Sequence, residues 1–132
     1  MRAHRLLLLL LLTVTGAVSA QDAPLARPAL AAMQQAHTAP ALLDVRTPAE
    51  YHAGHIDGAL NVAVDELAAR HGVLGFRHDQ EIVVYCKSGR RATRAQQILQ
   101  SLGYIHVRLL DGSIDAWQAE RRPLVVEGRT RS

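Results

Sequence analysis

The sequence lacks a second cysteine, since Cys86 is the only one among its 132 residues. One cysteine cannot form a disulfide within the chain, which excludes a disulfide-stapled scaffold. The lack of further cysteines and of closely spaced histidines also argues against a zinc site, so we expect no metal ligands. A lone cysteine is often a buried, inert side chain. The residues around Cys86 therefore decide whether it is structural or reactive.

The sequence also lacks a hydrophobic run long enough to span a membrane. Its most apolar stretch, residues 6–20, is free of charge but has only 15 residues, whereas a spanning helix needs about 20. This stretch opens with seven leucines after a basic start, and it ends on Val18-Ser19-Ala20. That order predicts a secretory signal peptide over residues 1–20, cleaved after Ala20. A retained membrane anchor is the alternative.

Little net charge remains once the signal peptide is set aside. Arg2 and Arg5 lie in it and no acidic residue does, so the other 112 residues carry a formal net charge of +1. This balance gives no general attraction to nucleic acid, and the length fits one domain. We expect export to the bacterial periplasm, with no membrane contact after cleavage. Because an unpaired thiol is exposed to oxidation there, its presence favours a reactive Cys86.

Strand and helix signals alternate along the exported part. Apolar runs rich in β-branched residues predict strands at 41–45, 59–62, 81–86, 106–110 and 124–126. Periodicity, caps and stop signals predict helices at 28–36, 48–53, 65–71, 91–102 and 113–120. Thr47, Pro48 and Glu50 have the spacing of a capping box. The alternation predicts an α/β domain with a central, mostly parallel sheet that helices cover on both faces.

Cys86 ends the strongest predicted strand and is followed by a short basic loop and a helix. In parallel sheets, ligands bind beyond the carboxyl ends of the strands. A tight strand-to-helix loop directs backbone N–H groups inward, and the helix adds its positive end. Gly89 permits the turn, while Lys87, Arg90 and Arg91 add charge. We expect this loop to favour the Cys86 thiolate and to attract an anionic co-substrate.

Three separated motifs carry a family resemblance. The loop CKSGRRA (residues 86–92) resembles the active-site loop of rhodaneses, in which cysteine begins a six-residue loop closed by arginine. The segments LDVRTPAEY (43–51) and GHIDGALN (54–61) are similar to the family's first signature, and LDGSIDAW (110–117) resembles its C-terminal one. The second position of Gly112-Ser113 departs from the paired glycines that the family often has. The likeness spans about Leu30 to Pro123.

The resemblance is greatest to single-domain periplasmic rhodaneses of the phage-shock type. It implies a rhodanese domain over residues 29–127, between a lead-in at 21–28 and a tail at 128–132. It also implies a sulfurtransferase: Cys86 attacks thiosulfate or a similar donor, sulfite leaves, and the resulting persulfide passes its sulfur to cyanide or a thiol. Such a protein needs a small anionic donor and a thiophilic acceptor but no cofactor, and we expect a monomer.

The resemblance assigns roles to further residues. The substrate-binding loop would consist of Lys87, Ser88, Gly89, Arg90 and Arg91. Lys87 and Arg90 are the better candidates for donor contact, whereas Arg91 closes the loop and would brace it, bind the donor, or do both. Asp44 and Arg46 would support the site, with Arg46 paired to Glu50. His55 and Trp117 are expected to be structural.

Three other functions compete with sulfur transfer. Cysteine-dependent phosphatases also run from cysteine to arginine, but with five intervening residues, whereas four lie between Cys86 and Arg91. A non-catalytic or regulatory binding module would not need Cys86 or its basic loop. A thiol–disulfide redox protein would lack a resolving cysteine in this chain. Sulfur transfer is therefore the favoured prediction.

Overall fold

The computed structural model describes residues 23–128, so residues 1–22, which include the predicted signal peptide and the first two residues of the lead-in, and residues 129–132 lie outside the described residues. Four strands are present there, namely β1 (Ala41–Asp44), β2 (Leu60–Asn61), β3 (Glu81–Tyr85) and β4 (His106–Leu109). They form one parallel sheet in the order β2-β1-β3-β4. The predicted parallel α/β architecture is confirmed, and β3 lies at the centre of the sheet.

Five α-helices connect and cover the strands: α1 (Arg27–Gln35), α2 (Pro48–Ala53), α3 (Val64–Arg70), α4 (Arg90–Ser101) and α5 (Ser113–Ala119). A 3₁₀ turn, His71–Leu74, follows α3. No helix within residues 23–128 is both long and apolar enough to cross a membrane.

Successive side chains of β3 pack alternately into two buried clusters, one on each face of the sheet. Ile82 and Val84 pack with residues of α3 and α4, whereas Val83 and Tyr85 pack with residues of α1 and α5. All four side chains are fully buried. A strand buried on both faces is a nearly continuous apolar run, which is why the residues IVVY (82–85) could be recognised from the sequence.

The capping box at the start of α2 is present as predicted. The Thr47 hydroxyl accepts a hydrogen bond from the Glu50 N–H, and the Glu50 carboxylate accepts one from the Thr47 N–H, both at 3.2 Å. The short helix then ends at Gly54. The capping box therefore fixes where the chain turns after β1, at the edge of the sheet where β1 and β3 end.

Two local expectations were wrong. The lead-in was expected to be loose, but Leu25 is buried, its N–H donates to the Leu109 carbonyl at 2.8 Å, and α1 already begins at Arg27. The segment 124–126 was expected to be a strand, but Val125 forms only an isolated antiparallel bridge with His55. Its partner is a loop residue rather than a sheet edge, so no ladder can extend from it.

Candidate active site

Cys86 lies where the sequence predicted, directly after the central strand β3. It is 1% exposed, and three residues separate it from the start of α4 at Arg90. The carboxyl end of the neighbouring strand β1 brings Asp44 and Arg46 to the same edge. The topology thus gathers the predicted loop and the predicted supporting residues on one side of the sheet.

The sulfur of Cys86 receives a backbone hydrogen bond from its own loop. The N–H of Gly89 donates to Sγ with a separation of 3.0 Å. Gly89 has φ +114°, a conformation that residues with a side chain rarely adopt, so the turn that aims this N–H depends on glycine. The positive end of the 12-residue helix α4 begins at the next residue. Both features direct partial positive charge toward the sulfur.

Hydrogen bonds with the start of α5 hold the backbone of Cys86 and Lys87. The Ile114 N–H donates to the Cys86 carbonyl at 3.1 Å, and the Asp115 N–H donates to the Lys87 carbonyl at 3.0 Å. The Cys86 N–H donates to the Ser113 hydroxyl at 3.3 Å. Ser113 was not among the predicted site residues. The one signal that could have found it is the departure from paired glycines at this position.

Most cations around the loop are already paired with carboxylates. Lys87 Nζ lies 2.9 Å from Asp115, and one turn into α4 Arg94 lies 2.6 Å from Asp65. Arg91 binds Glu50 through two hydrogen bonds of 2.7 and 3.0 Å. Arg90 is exposed and has no carboxylate partner within residues 23–128. The predicted pair of donor contacts therefore separates into a bound Lys87 and an available Arg90.

The predicted pairing of Arg46 with Glu50 is wrong. The guanidinium of Arg46 instead contacts both carboxylate oxygens of Asp44, the shortest contact being 2.6 Å, and also donates to the Gly54 carbonyl at 2.8 Å. Arg46 precedes α2, so it does not share a helical face with Glu50 as residues four apart within one helix would. Glu50 is left to bind Arg91.

Glu50 is a further site residue that the sequence reasoning did not assign to the loop. Its Oε1 accepts from both the Thr47 hydroxyl and Arg91 Nη1, so one oxygen serves the helix cap and the loop arginine. The Arg91 hydrogen bonds lower the pKa of Glu50 to about 2, against the opposing effect of partial burial. The same contact raises the pKa of Arg91. This pair connects α2 to the first turn of α4.

A buried polar layer lies at the ends of β1 and β3. Asp44 is fully buried, Arg46 is 6% exposed, and the Arg46 guanidinium carbon lies 5.7 Å from the centre of the Tyr85 ring. The Tyr85 hydroxyl accepts from the Ile56 N–H at 3.1 Å. Burial, followed by the Asp44 charge, raises the pKa of Tyr85, so this hydroxyl stays neutral. These contacts give Asp44 and Arg46 a supporting position rather than contact with the sulfur.

The remaining predicted residues occupy varied positions. Ser88 is exposed at the tip of the loop. His55 is buried, with Nδ1 2.9 Å from the Tyr51 carbonyl oxygen and its ring stacked on that of Tyr51. Trp117 is buried and donates its indole N–H to the Pro123 carbonyl. Over residues 23–128, no three His, Cys, Asp or Glu side chains cluster as a metal-ligand set.

Comparison with known proteins gives one consistent family. The model of the rhodanese-like domain matches residues 26–120. The thiosulfate sulfurtransferase PspE of Escherichia coli is 34% identical over 73 residues, which cover 55% of this chain and 70% of PspE. A sulfurtransferase of Allochromatium vinosum is 37% identical over 84 residues, covering 64% of this chain and 77% of the relative. By contrast, the chain spans only 22% of the probable adenylyltransferase/sulfurtransferase MoeZ of Mycobacterium tuberculosis.

Solved structures support the same assignment. The human single-domain sulfurtransferase TSTD1 superposes with a TM-score of 0.64 at 29% identity, covering 74% of this chain and 96% of that one. A thiosulfate sulfurtransferase from Pseudomonas aeruginosa gives a TM-score of 0.70 at 30% identity, covering 80% of this chain but 20% of that larger one. The matched residues include both the parallel sheet and the Cys86 loop, and the chain therefore belongs to the rhodanese-like domain family.

Proposed function

We propose that this chain is a rhodanese-type sulfurtransferase that moves sulfane sulfur from thiosulfate, or a similar anionic donor, to cyanide or a thiol. The observation that carries the proposal is that the Gly89 N–H donates a hydrogen bond to Cys86 Sγ next to the positive end of α4. Family membership and the names of the sulfurtransferase relatives support sulfur transfer as the activity.

The proposed first step loads sulfur onto Cys86. The thiolate attacks the outer sulfur of thiosulfate, a new S–S bond forms, and the bond to the sulfonate group breaks, with the electron pair leaving as sulfite. The Gly89 N–H and the end of α4 remain in place to stabilise the anionic persulfide. No metal or organic cofactor takes part in this exchange.

The proposed second step returns the thiolate. Cyanide or a thiolate attacks the outer sulfur of the persulfide, the new bond to the acceptor forms, and the S–S bond breaks with its electron pair going to Cys86. Because Cys86 is the only cysteine of the chain, no second thiol of the same molecule can receive the sulfur. The acceptor must therefore come from outside.

The proposal gives each loop cation one role. Arg90 contacts the donor anion, since Lys87, Arg91 and Arg94 are engaged by carboxylates. Arg91 fixes the first turn of α4 to α2 through Glu50. Lys87 fixes the loop to α5 through Asp115. The loop thus combines one available charge with two anchored ones.

Export is proposed as well. The signal-peptide pattern of residues 1–20 and the cleavage site after Ala20 support secretion into the periplasm, followed by release from the membrane. The low net charge of the exported part gives no support to a nucleic-acid partner. We also propose that the protein is a monomer whose partners are the small anionic donor and the cyanide or thiol acceptor.

A direct comparison of two assays tests the chemistry. Purified protein is supplied with thiosulfate and cyanide, and separately with a phosphate ester. The expected result is thiocyanate formation that is abolished by Cys86→Ser, without phosphate release. Phosphate release in the absence of thiocyanate would assign the loop to a cysteine-dependent phosphatase instead.

A further inference from the structure

Two consecutive residues at the start of α5 have left-handed backbone conformations. Gly112 has φ +70° and Ser113 has φ +52°. Glycine is required at the first position, because an added Cβ would lie 2.5 Å from Ala116 Cβ and 3.0 Å from Arg27 Nη1. Ser113 instead carries a side chain in a conformation that glycine would adopt more easily. Serine at this position therefore carries a backbone cost that glycine would avoid.

The Ser113 hydroxyl is buried against the loop that carries the thiol. The residue is fully buried, and its Oγ accepts the hydrogen bond from the Cys86 N–H at 3.3 Å. The same Oγ would lie 3.9 Å from a Cβ added to Gly89. One hydroxyl thus lies close to both the residue that bears the sulfur and the residue whose N–H binds it.

The two sides of Cys86 are held by neighbouring groups of α5. Its carbonyl accepts from the Ile114 N–H, while its N–H donates to Ser113. With glycine or alanine at position 113, the buried Cys86 N–H would lose its partner, which is costly in a protein interior. The backbone of Cys86 would then be held through its carbonyl alone, and the Gly89-to-sulfur contact would vary more.

We infer that Ser113 is a positioning residue for sulfur loading: its buried hydroxyl fixes the Cys86 peptide and so holds Sγ against the Gly89 N–H. This inference rests on the proposed sulfurtransferase activity. Ser113 does not contact the donor, so its loss lowers the rate constant for attack while leaving donor binding by Arg90 in place.

The test uses two variants and one matched control. Ser113→Ala removes the hydroxyl but keeps the strained backbone, whereas Ser113→Gly removes both. The control is Arg121→Gly, since exposed Arg121 has φ +54° beyond the other end of α5 and glycine there relieves strain without touching Cys86. Two quantities are measured. The first is single-turnover sulfur loading across thiosulfate concentrations, normalised to the amount of free thiol, and the second is amide hydrogen exchange at Cys86.

Both Ser113 variants are expected to load sulfur about tenfold more slowly at saturating thiosulfate, the change that loss of one buried hydrogen bond produces. The half-saturating thiosulfate concentration stays within about twofold of wild type, because ground-state donor binding is retained. The Cys86 amide exchanges faster in both variants, and Arg121→Gly matches wild type in both readouts.

Three results would overturn the inference. Wild-type loading and exchange in Ser113→Ala would show that the hydroxyl has no role. A defect in Ser113→Ala that Ser113→Gly lacks would assign the effect to strain. A loading defect that Arg121→Gly shares would mean that any backbone change near α5, and not loss of the Ser113 hydroxyl, slows loading. If wild-type protein loads no sulfur, the proposed function fails instead, and the exchange readout still decides whether Ser113 holds the Cys86 peptide.

Discussion

At the scale of single residues, charge pairing separates cations that look equivalent in the sequence. Lys87, Arg90 and Arg91 all lie in or next to one loop, but carboxylates from α5 and α2 engage the first and the last. An exposed cation without a partner can bind an anion without first breaking an ion pair. Arg90 is therefore the loop side chain most available to a donor such as thiosulfate.

Arg90→Gln is expected to raise the thiosulfate concentration for half-maximal rate about three- to tenfold. This range corresponds to about 1 kcal/mol, the upper end for an exposed charge pair. The rate at saturation should change little, since Arg90 contacts the donor rather than the sulfur nucleophile. Steady-state kinetics at low salt measures both quantities.

The control for this prediction is Arg94→Gln, one turn further along α4, where Asp65 already holds the guanidinium. That variant should retain wild-type donor dependence. Equal effects of the two substitutions would mean that the general positive charge of α4, and not Arg90, attracts the donor.

The loop that carries Cys86 could be identified from the sequence, but the pairings of its residues and the parts played by Glu50 and Ser113 could not. Cys86 and Gly89 follow from a strong strand, a glycine and a helix in immediate succession, which is local information. The Arg91–Glu50 contact joins residues 41 positions apart, and Ser113 meets Cys86 across 27 positions. No periodicity encodes such contacts, so they required the three-dimensional arrangement.

At the scale of secondary-structure elements, Glu50 joins α2 to α4 and makes stability depend on pH. The pKa of Glu50 is lowered from its usual 4.5 to about 2. A carboxylate with a depressed folded pKa stabilises the protein above its unfolded value and loses that contribution as the pH falls through the folded one. The stabilisation by this pair is thus complete above about pH 4.5 and is lost toward pH 2.

Glu50→Gln is expected to flatten the decline of unfolding free energy between about pH 5.5 and pH 3. Glutamine preserves the capping box, so the variant removes the charge pair alone. The effect should be modest because about one third of each side chain is exposed. Urea denaturation at the two pH values measures it.

The comparison variant is Glu120→Gln, whose carboxyl also has a pKa near 2, from contacts with Arg27 and Arg122 away from the Cys86 loop. Sulfur loading should respond to Glu50→Gln but not to Glu120→Gln. An unchanged pH dependence in Glu50→Gln would contradict the assignment of this linkage to the Arg91 pair.

The buried Asp44–Arg46 ion pair fixes the end of β1, and Arg46 also reaches the Gly54 carbonyl at the end of α2. Asp44→Asn would leave the Arg46 charge buried without its counter-charge, which typically costs about 3–5 kcal/mol. The double variant Asp44→Leu, Arg46→Met should recover most of that loss, since no buried charge remains. Urea denaturation of the three proteins measures both steps, and a single variant as stable as wild type would contradict the prediction.

Most elements could be predicted because local sequence and burial agree. β3 is apolar on both faces, and α2 carries its own cap and its own stop at Gly54. The segment 124–126 was misjudged because an apolar run does not specify whether a sheet edge is free to receive it. Leu25 was misjudged for the opposite reason, since a short Ala/Pro-rich lead-in gave no sign that it would be buried beside β4.

At the scale of the whole molecule, the sequence pattern predicts that the working protein is shorter than the encoded chain. Protein recovered from the periplasmic fraction of a bacterial host is expected to begin at Gln21, because the small residues before it form the cleavage site. Intact-mass measurement and N-terminal sequencing of that fraction check this. Uncleaved protein in the membrane fraction would favour a retained anchor.

The elements that meet at the carboxyl ends of β1 and β3 all surround one thiol, and the proposed activity depends on Cys86 carrying sulfur. The most direct measurement is the intact mass of the protein after treatment with thiosulfate and removal of excess reagent. We expect a gain of one sulfur atom that cyanide removes and that Cys86→Ser does not show. An unchanged mass in wild-type protein with a free thiol, or the same gain in Cys86→Ser, would contradict it.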